Sequence, residues 1–165
     1  MIPEIDNYLT RLEDLRGQVI DLIRDLPPEA LNWRPVEGEE DHITNSLAVL
    51  AAHIAGAEQF WIHEVIGEDP KTRDRDQEFV TEAANAADII AKHMQNKKRT
   101  REILEDWDST QLEKIYLVHE KQVPARWAIL HIIDHTSLHL GHMQITYQLW
   151  NQGKGADSPR WFQRI

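Results

Sequence analysis

An all-α fold, specifically a four-helix bundle, is predicted by three features of the sequence. Four long stretches carry apolar residues at helical spacing, two longish connectors join them, and the composition is that of an ordinary globular chain. At 165 residues, 41% hydrophobic and 28% charged, the chain can bury a core without staples and reads as one domain over residues 1–165. No repeat, low-complexity segment or linker divides it.

In the first helix, Ile5, Leu9, Leu12, Leu15, Val19, Leu22, Ile23 and Leu26 recur at helical spacing from Glu4 onward, and Pro27-Pro28 stops the run. Residues Pro28 to Asp41 follow neither regular period and hold Trp33-Arg34-Pro35 and Gly38 among acidic residues, which predicts an ordered loop. A second helix begins near Thr44 or Ser46, where a hydroxyl can cap free amides behind the apolar Ile43, and runs to Gly67. Its apolar face is Leu47, Leu50, Ala51, Ile54, Phe60, Trp61 and Val65.

The charged segment Gly67 to Glu78 contains Pro70 and reads as a connector. Thr81 then caps a third helix with apolar positions Ala84, Ala87, Ile90, Ala91, Met94, Ile103 and Leu104, ending near Trp107. Between Asp108 and Gln122, Ile115, Leu117 and Val118 fit an extended piece or a short turn equally well, and the stretch reads only as a second connector. Pro124 suits the first turn of a fourth helix carrying Trp127, Ile129, Leu130, Ile133, Leu138, Ile145 and Leu149, which Gly153 and Gly155 end. The short tail near 153–165 contains Trp161 and Phe162, an aromatic pair expected to dock on the bundle or on a partner chain.

The chain has no cysteine, which excludes disulfides, thiolate zinc sites, iron-sulfur clusters and cysteine nucleophiles. Any transition-metal site must use His, Asp or Glu, and a reacting thiol must arrive with a substrate. With 18 Lys+Arg against 28 Asp+Glu, the formal charge of −10 argues against a nucleic-acid partner. Neither a signal peptide nor a membrane span is evident, so the expectation is a cytoplasmic protein acting on a small molecule away from membranes.

Nine histidines stand out in a chain of this size. Four of them, His131, His135, His139 and His142, share the predicted fourth helix, and at about 100° per residue they fall within an arc of roughly 80°. His135 and His139 are separated by four residues, which places two imidazoles one turn apart on one face, able to close on a single ion. A third ligand could come from His53, midway along the second helix in the apolar stretch Ala51 to Ala57.

Three neutral imidazoles would suit zinc, nickel, copper or ferrous iron and leave a coordination position open for water or substrate. The alternative for such histidines is that they are hydrogen-bonded core or half-exposed residues. His131 reads as structural or as a support to the pair, whereas His142 could orient the site or reach the ion directly. His42, His63, His93 and His119 show no such pairing and read as surface residues, and Glu58 reads as an ion-pair or helix-end partner at least as readily as a catalytic group. The paired Glu-x-x-His motifs of di-iron bundles, the zinc-protease helix, the nucleophile elbow and the phosphate loop are all missing.

Three motifs together resemble the DinB/YfiT-like superfamily of metal-dependent enzymes. They are His53-Ile54-Ala55-Gly56-Ala57-Glu58-Gln59-Phe60-Trp61, the run from Leu130 to His142 containing His135-x-x-x-His139-x-Gly141-His142, and Leu31-Asn32-Trp33-Arg34-Pro35. The resemblance covers Ile5 to Trp150 and implies a four-helix bundle in which His53, His135 and His139 are the metal ligands. His142 stands where many members carry glutamine, which leaves a fourth ligand or an altered support open.

The superfamily includes DNA-damage-inducible proteins and enzymes that use low-molecular-weight thiols such as mycothiol or bacillithiol. The resemblance therefore implies a divalent transition metal, zinc or nickel first, a low-molecular-weight thiol as cofactor, and thiol S-transfer or metal-dependent hydrolysis as the activity. It names no catalytic residue beyond the ligands. A homodimer is a family habit for which the sequence fixes no interface. The competing reading is a non-catalytic helical stress-response or binding protein whose metal site is structural or vestigial.

Overall fold

The computed structural model of the protein describes residues 1–36 and 44–154. Its elements in order are α1 (Pro3–Ile23), α2 (Pro28–Asn32), α3 (Leu47–Glu58) with a π-helical continuation (Gln59–Ile66), α4 (Arg75–Phe79), α5 (Ala87–Leu104), α6 (Ser109–Leu112), β1 (Ile115–Val118), β2 (Lys121–Pro124) and α7 (Ala125–Trp150). Among the described residues the fold is mainly α, with one two-stranded antiparallel sheet. Helix α1 packs on α5 and α7, and α3 packs on the same two.

The first helix follows its apolar period: Ile5, Leu9, Leu12, Leu15, Val19 and Ile23 are all buried. So is Arg16, whose place on that face no hydrophobic pattern announces. Ser46 is the cap of α3, its side chain accepting from the Val49 amide, where a hydroxyl removes one of the unsatisfied donors of a helix start.

Beyond Glu58 this helix widens. The Gly67 amide donates to the Ile62 carbonyl at 2.9 Å, five residues back, and the wider turn changes which side chains face inward. Ile62 and Ile66 are buried in line with Ile54 and Glu58 at a spacing of four, while the expected face residues Phe60, Trp61 and Val65 are only partly covered.

The expected loop from Pro28 to Asp41 instead begins with the one-turn helix α2, because Pro28 supplies a pre-set φ at a first helical position. The predicted third helix starts later than expected. Thr81 does not cap it but closes α4, its hydroxyl donating to the Gln77 carbonyl. The inward face of α5 is Ile89, His93, Asn96, Thr100 and Leu104, whereas Ala84, Ala87, Ala91 and Met94 are exposed. This face is mostly polar because its side chains bond α3: His93 Nε2 donates to the Ala51 carbonyl at 3.0 Å and Asn96 Nδ2 to the Ala55 carbonyl at 2.7 Å.

The second connector holds α6 and a hairpin. His119 and Glu120 both take positive φ, 47° and 65°, as a two-residue primed turn requires, without the Asn-Gly signature that announces one. The face of α7 also differs from expectation. Apolar residues surround this helix, so the periodicity does not single out a side. Ala128, Ile129, Ile132, Thr136, Leu140 and Met143 are buried, while Trp127, Leu130, Leu138, Ile145 and Leu149 are exposed. The expected tail docking through Trp161 and Phe162, together with His42, Ile43, Gly38 and Gly155, lies outside the described residues.

Candidate metal centre

Helix α3 carries His53, and the middle of α7 carries His135 and His139 one turn apart; packing of the two helices brings the three rings together. Each offers a ring nitrogen to one cluster whose members all lie within 4.8 Å of one another. Ring centroids are 4.4 Å apart for His135 and His139, 4.9 Å for His53 and His135, and 5.1 Å for His53 and His139.

The tautomers can be worked out from the partners. His53 Nδ1 lies 2.8 Å from Glu78 Oε2. An ionised carboxylate only accepts, so Nδ1 donates and a neutral His53 presents a bare Nε2 lone pair. That Nε2 faces His135 Nε2 at 3.1 Å. If His135 donates there, its own Nδ1 keeps a lone pair, and that atom is buried with no partner. In the other His135 tautomer two Nε2 lone pairs face each other, which a cation would satisfy, and neutral imidazoles are the donor set that divalent transition metals take.

Electrostatics favour the neutral forms of His135 and His139. Burial, followed by the neighbouring His139, His53, His131 and Arg73, pushes His135 down to about 3. Burial, followed by His53 and His142, pushes His139 down to about 4. The residues around the cluster are equally ordered. Arg73 forks onto Glu78, with Nε donating to Oε1 at 2.6 Å and Nη2 to Oε2 at 2.8 Å. Burial raises the Glu78 carboxyl, but the bonds from Arg73 and His53 outweigh it and hold the group below the usual carboxylate range.

The π-helical segment places Arg73. Its Glu64 accepts from the backbone amides of Thr72 and Arg73, both at 2.8 Å, and so fixes the returning loop. Gly56, one turn after His53, leaves the space that the Glu78 carboxylate enters; a Cβ there would overlap Oε1. The Phe79 ring lies 5.1 Å from that of His53.

His142 is exposed and its Nδ1 is 3.4 Å from His139 Nδ1, outside the three-histidine group. His131 stacks flat on Trp127 at 4.8 Å and lies 5.7 Å from His135. A cleft of about 450 Å³ opens beside His139 and His142, with Leu50, Ile145 and Leu149 in its wall. The exposed His119 agrees with the surface reading. His63 and His93 do not, since both are buried by bonds to other elements. Glu58 is the expected ion-pair partner, here of the buried Arg16.

Sequence reasoning misses Glu78, Arg73 and Gly56 as parts of the site. A lone glycine inside an apolar helix, three residues after a histidine, is the one signal that a close approach occurs there.

A family model described as mycothiol-S-transferase matches residues 8–151. That family is DinB/YfiT-like, in agreement with the resemblance read from the motifs. No curated protein is significantly similar to the chain. Among the described residues, no helix is long and apolar enough to cross a membrane.

Proposed function

Since the chain belongs to the mycothiol-S-transferase family, we propose that it is a thiol S-transferase dependent on a divalent transition metal, zinc or nickel, held by His53, His135 and His139. The observation that carries this reading is the convergence of three histidines beside an open cleft, with the His135 and His139 rings held neutral. The pairwise packing of α1, α3, α5 and α7 supports reading the architecture as the four-helix bundle of that superfamily.

A divalent ion in such a site favours a thiolate over a thiol at neutral pH. The chain's own residues supply the rest. His53 offers Nε2 because its Nδ1 proton is bound to Glu78. The apolar side chains of Leu50, Ile145 and Leu149 give the electrophile a partly dry wall, and His142 stands exposed at the edge of the cleft where the thiol enters. In the transfer a carbon–sulfur bond forms as the bond from that carbon to its leaving group breaks, and the thiol proton passes to solvent through the open cleft. The absence of cysteine from the chain means that the sulfur comes with a low-molecular-weight thiol, for which mycothiol is the first choice.

The test is conjugation of monochlorobimane by mycothiol or bacillithiol on zinc- or nickel-loaded protein. Thiol-dependent turnover above the uncatalysed rate, lost in His135→Ala, is expected. Ester hydrolysis in place of conjugation would move the assignment to a hydrolase, and no turnover of either kind in fully loaded protein would overturn it in favour of a non-catalytic role.

A further inference from the structure

Glu78 is a buried carboxylate on a five-residue helix, in a charged segment that could have left it in water. Burying an ionised group is costly unless its oxygens are paired, and here both are. Oε1 accepts from Arg73 Nε, and Oε2 accepts from Arg73 Nη2 and from His53 Nδ1. The Arg73 fork alone would neutralise the charge and could do so at the surface. Entry of the carboxylate into the space over Gly56 is what adds the third bond. Arg73 is itself anchored through its backbone amide to Glu64. A chain of contacts therefore runs from the π-helical segment through Glu64, Arg73 and Glu78 to the outer nitrogen of His53.

We infer that Glu78 is the positioning residue of the three-histidine centre: it accepts a hydrogen bond from His53 Nδ1–H, fixes that ring's tautomer and orientation, and so aims Nε2 at the point shared with His135 and His139. This inference rests on the reading of that group as a metal centre. A carboxylate on the far nitrogen of a ligating histidine fixes its tautomer and makes the ligand more basic. The bland alternative is that the Arg73–Glu78 pair only pins α4 against α3, in which case its loss lowers stability and leaves metal affinity untouched.

The experiment is competition of Zn²⁺ between the protein and a chromophoric chelator for wild type, Glu78→Ala, Glu78→Gln, Gly56→Ala, the Gly56→Ala/Glu78→Ala double variant and His53→Ala. The unfolding transition of each apo form is recorded alongside. Glu78→Ala is expected to weaken Zn²⁺ binding roughly 10–100-fold. Gly56→Ala, which expels the same carboxylate without removing it, should weaken binding comparably, and the double variant no further than either single change. Glu78→Gln keeps an acceptor oxygen of the same reach and should fall between wild type and Glu78→Ala.

Unchanged Zn²⁺ affinity in folded Glu78→Ala or Glu78→Gln and in Gly56→Ala, with binding lost in His53→Ala, would overturn the inference and leave the metal centre standing. Failure of wild type itself to bind Zn²⁺ would overturn both.

Discussion

Arg16, Glu58, Thr100 and His63 meet inside the protein around a pair of opposite charges, whereas His53, His135 and His139 converge their ring nitrogens in a group whose His139 lines a cleft. In the first group Glu58 Oε1 accepts from Arg16 Nη2 at 2.5 Å and from the Thr100 hydroxyl at 2.6 Å. Because the Thr100 proton is used there, the hydroxyl accepts from His63 Nε2 at 3.1 Å. The ion pair is sealed, with both side chains 4% exposed, and Glu58 Oε1 is met by two donors, although Arg16 Nε and Nη1 are buried without a partner. The three histidines hold no such pair of opposite charges among themselves. The His53 and His135 Nε2 atoms face each other at 3.1 Å, the buried His135 Nδ1 has no partner, and the Glu78 carboxylate binds the outer nitrogen of His53. An ion pair closed off from solvent serves the fold, whereas ring nitrogens converging beside an opening are the arrangement that the proposed metal centre requires.

The largest effect that would break this comparison comes from the buried ion pair. Arg16→Met keeps much of the side-chain volume but strands the Glu58 carboxylate, and should cost about 3–5 kcal/mol of stability. Equilibrium urea unfolding of the metal-free protein measures it. The same variant should bind Zn²⁺ as wild type does; a loss of metal affinity equal to that of His53→Ala would mean that the two clusters are one.

A smaller effect comes from His93, buried between α5 and α3. Burial pushes it from 6.5 down to about 4, with Arg16 acting in the same direction and Glu58 and the Ala51 carbonyl opposing. Its folded value is depressed, so its stabilising contribution is complete above pH 6.5 and falls away as the pH drops toward 4, because the unfolded chain takes up the proton first. The slope approaches about 1.4 kcal/mol per pH unit, or roughly 3 kcal/mol over that window. His93→Gln keeps a donor for the Ala51 carbonyl and should flatten the acid limb of the stability–pH curve by that amount. His135 and His139 act with the same sign in metal-free protein, so the difference between wild type and variant, both measured in chelator, isolates His93. Parallel curves would show that His93 does not titrate in this window.

What the sequence reveals of each cluster follows from the same contrast. The spacing of His135 and His139 by four residues is a helical signal in itself, and the family resemblance of the motif around His53 supplies the third ring, so the three-histidine cluster is legible once the resemblance is added to the spacing. Glu78 is not, because it comes from a five-residue helix in a segment whose charges all look solvated. The sealed cluster is hidden for a related reason. His93, Asn96 and Thr100 occupy the inward face of α5, so a search for apolar residues lands on Ala84, Ala87, Ala91 and Met94, which face out. Helix α1 is read correctly because its inward face is apolar at all positions but Arg16. Helix α7 is misread in its facing because it is apolar on several sides, and the π-helical turn after Glu58 has no sequence signal, so Ile62 and Ile66 take the places expected of Trp61 and Val65.

The three-histidine centre is tested most directly by elemental analysis of tag-free protein after reconstitution, for wild type, His53→Ala, His135→Ala and Arg16→Met. About one zinc or nickel ion per chain is expected in wild type and Arg16→Met, as for a three-histidine site, and none in either histidine variant. Metal-free wild type after reconstitution, or a full complement of metal in His53→Ala and His135→Ala, would contradict that centre.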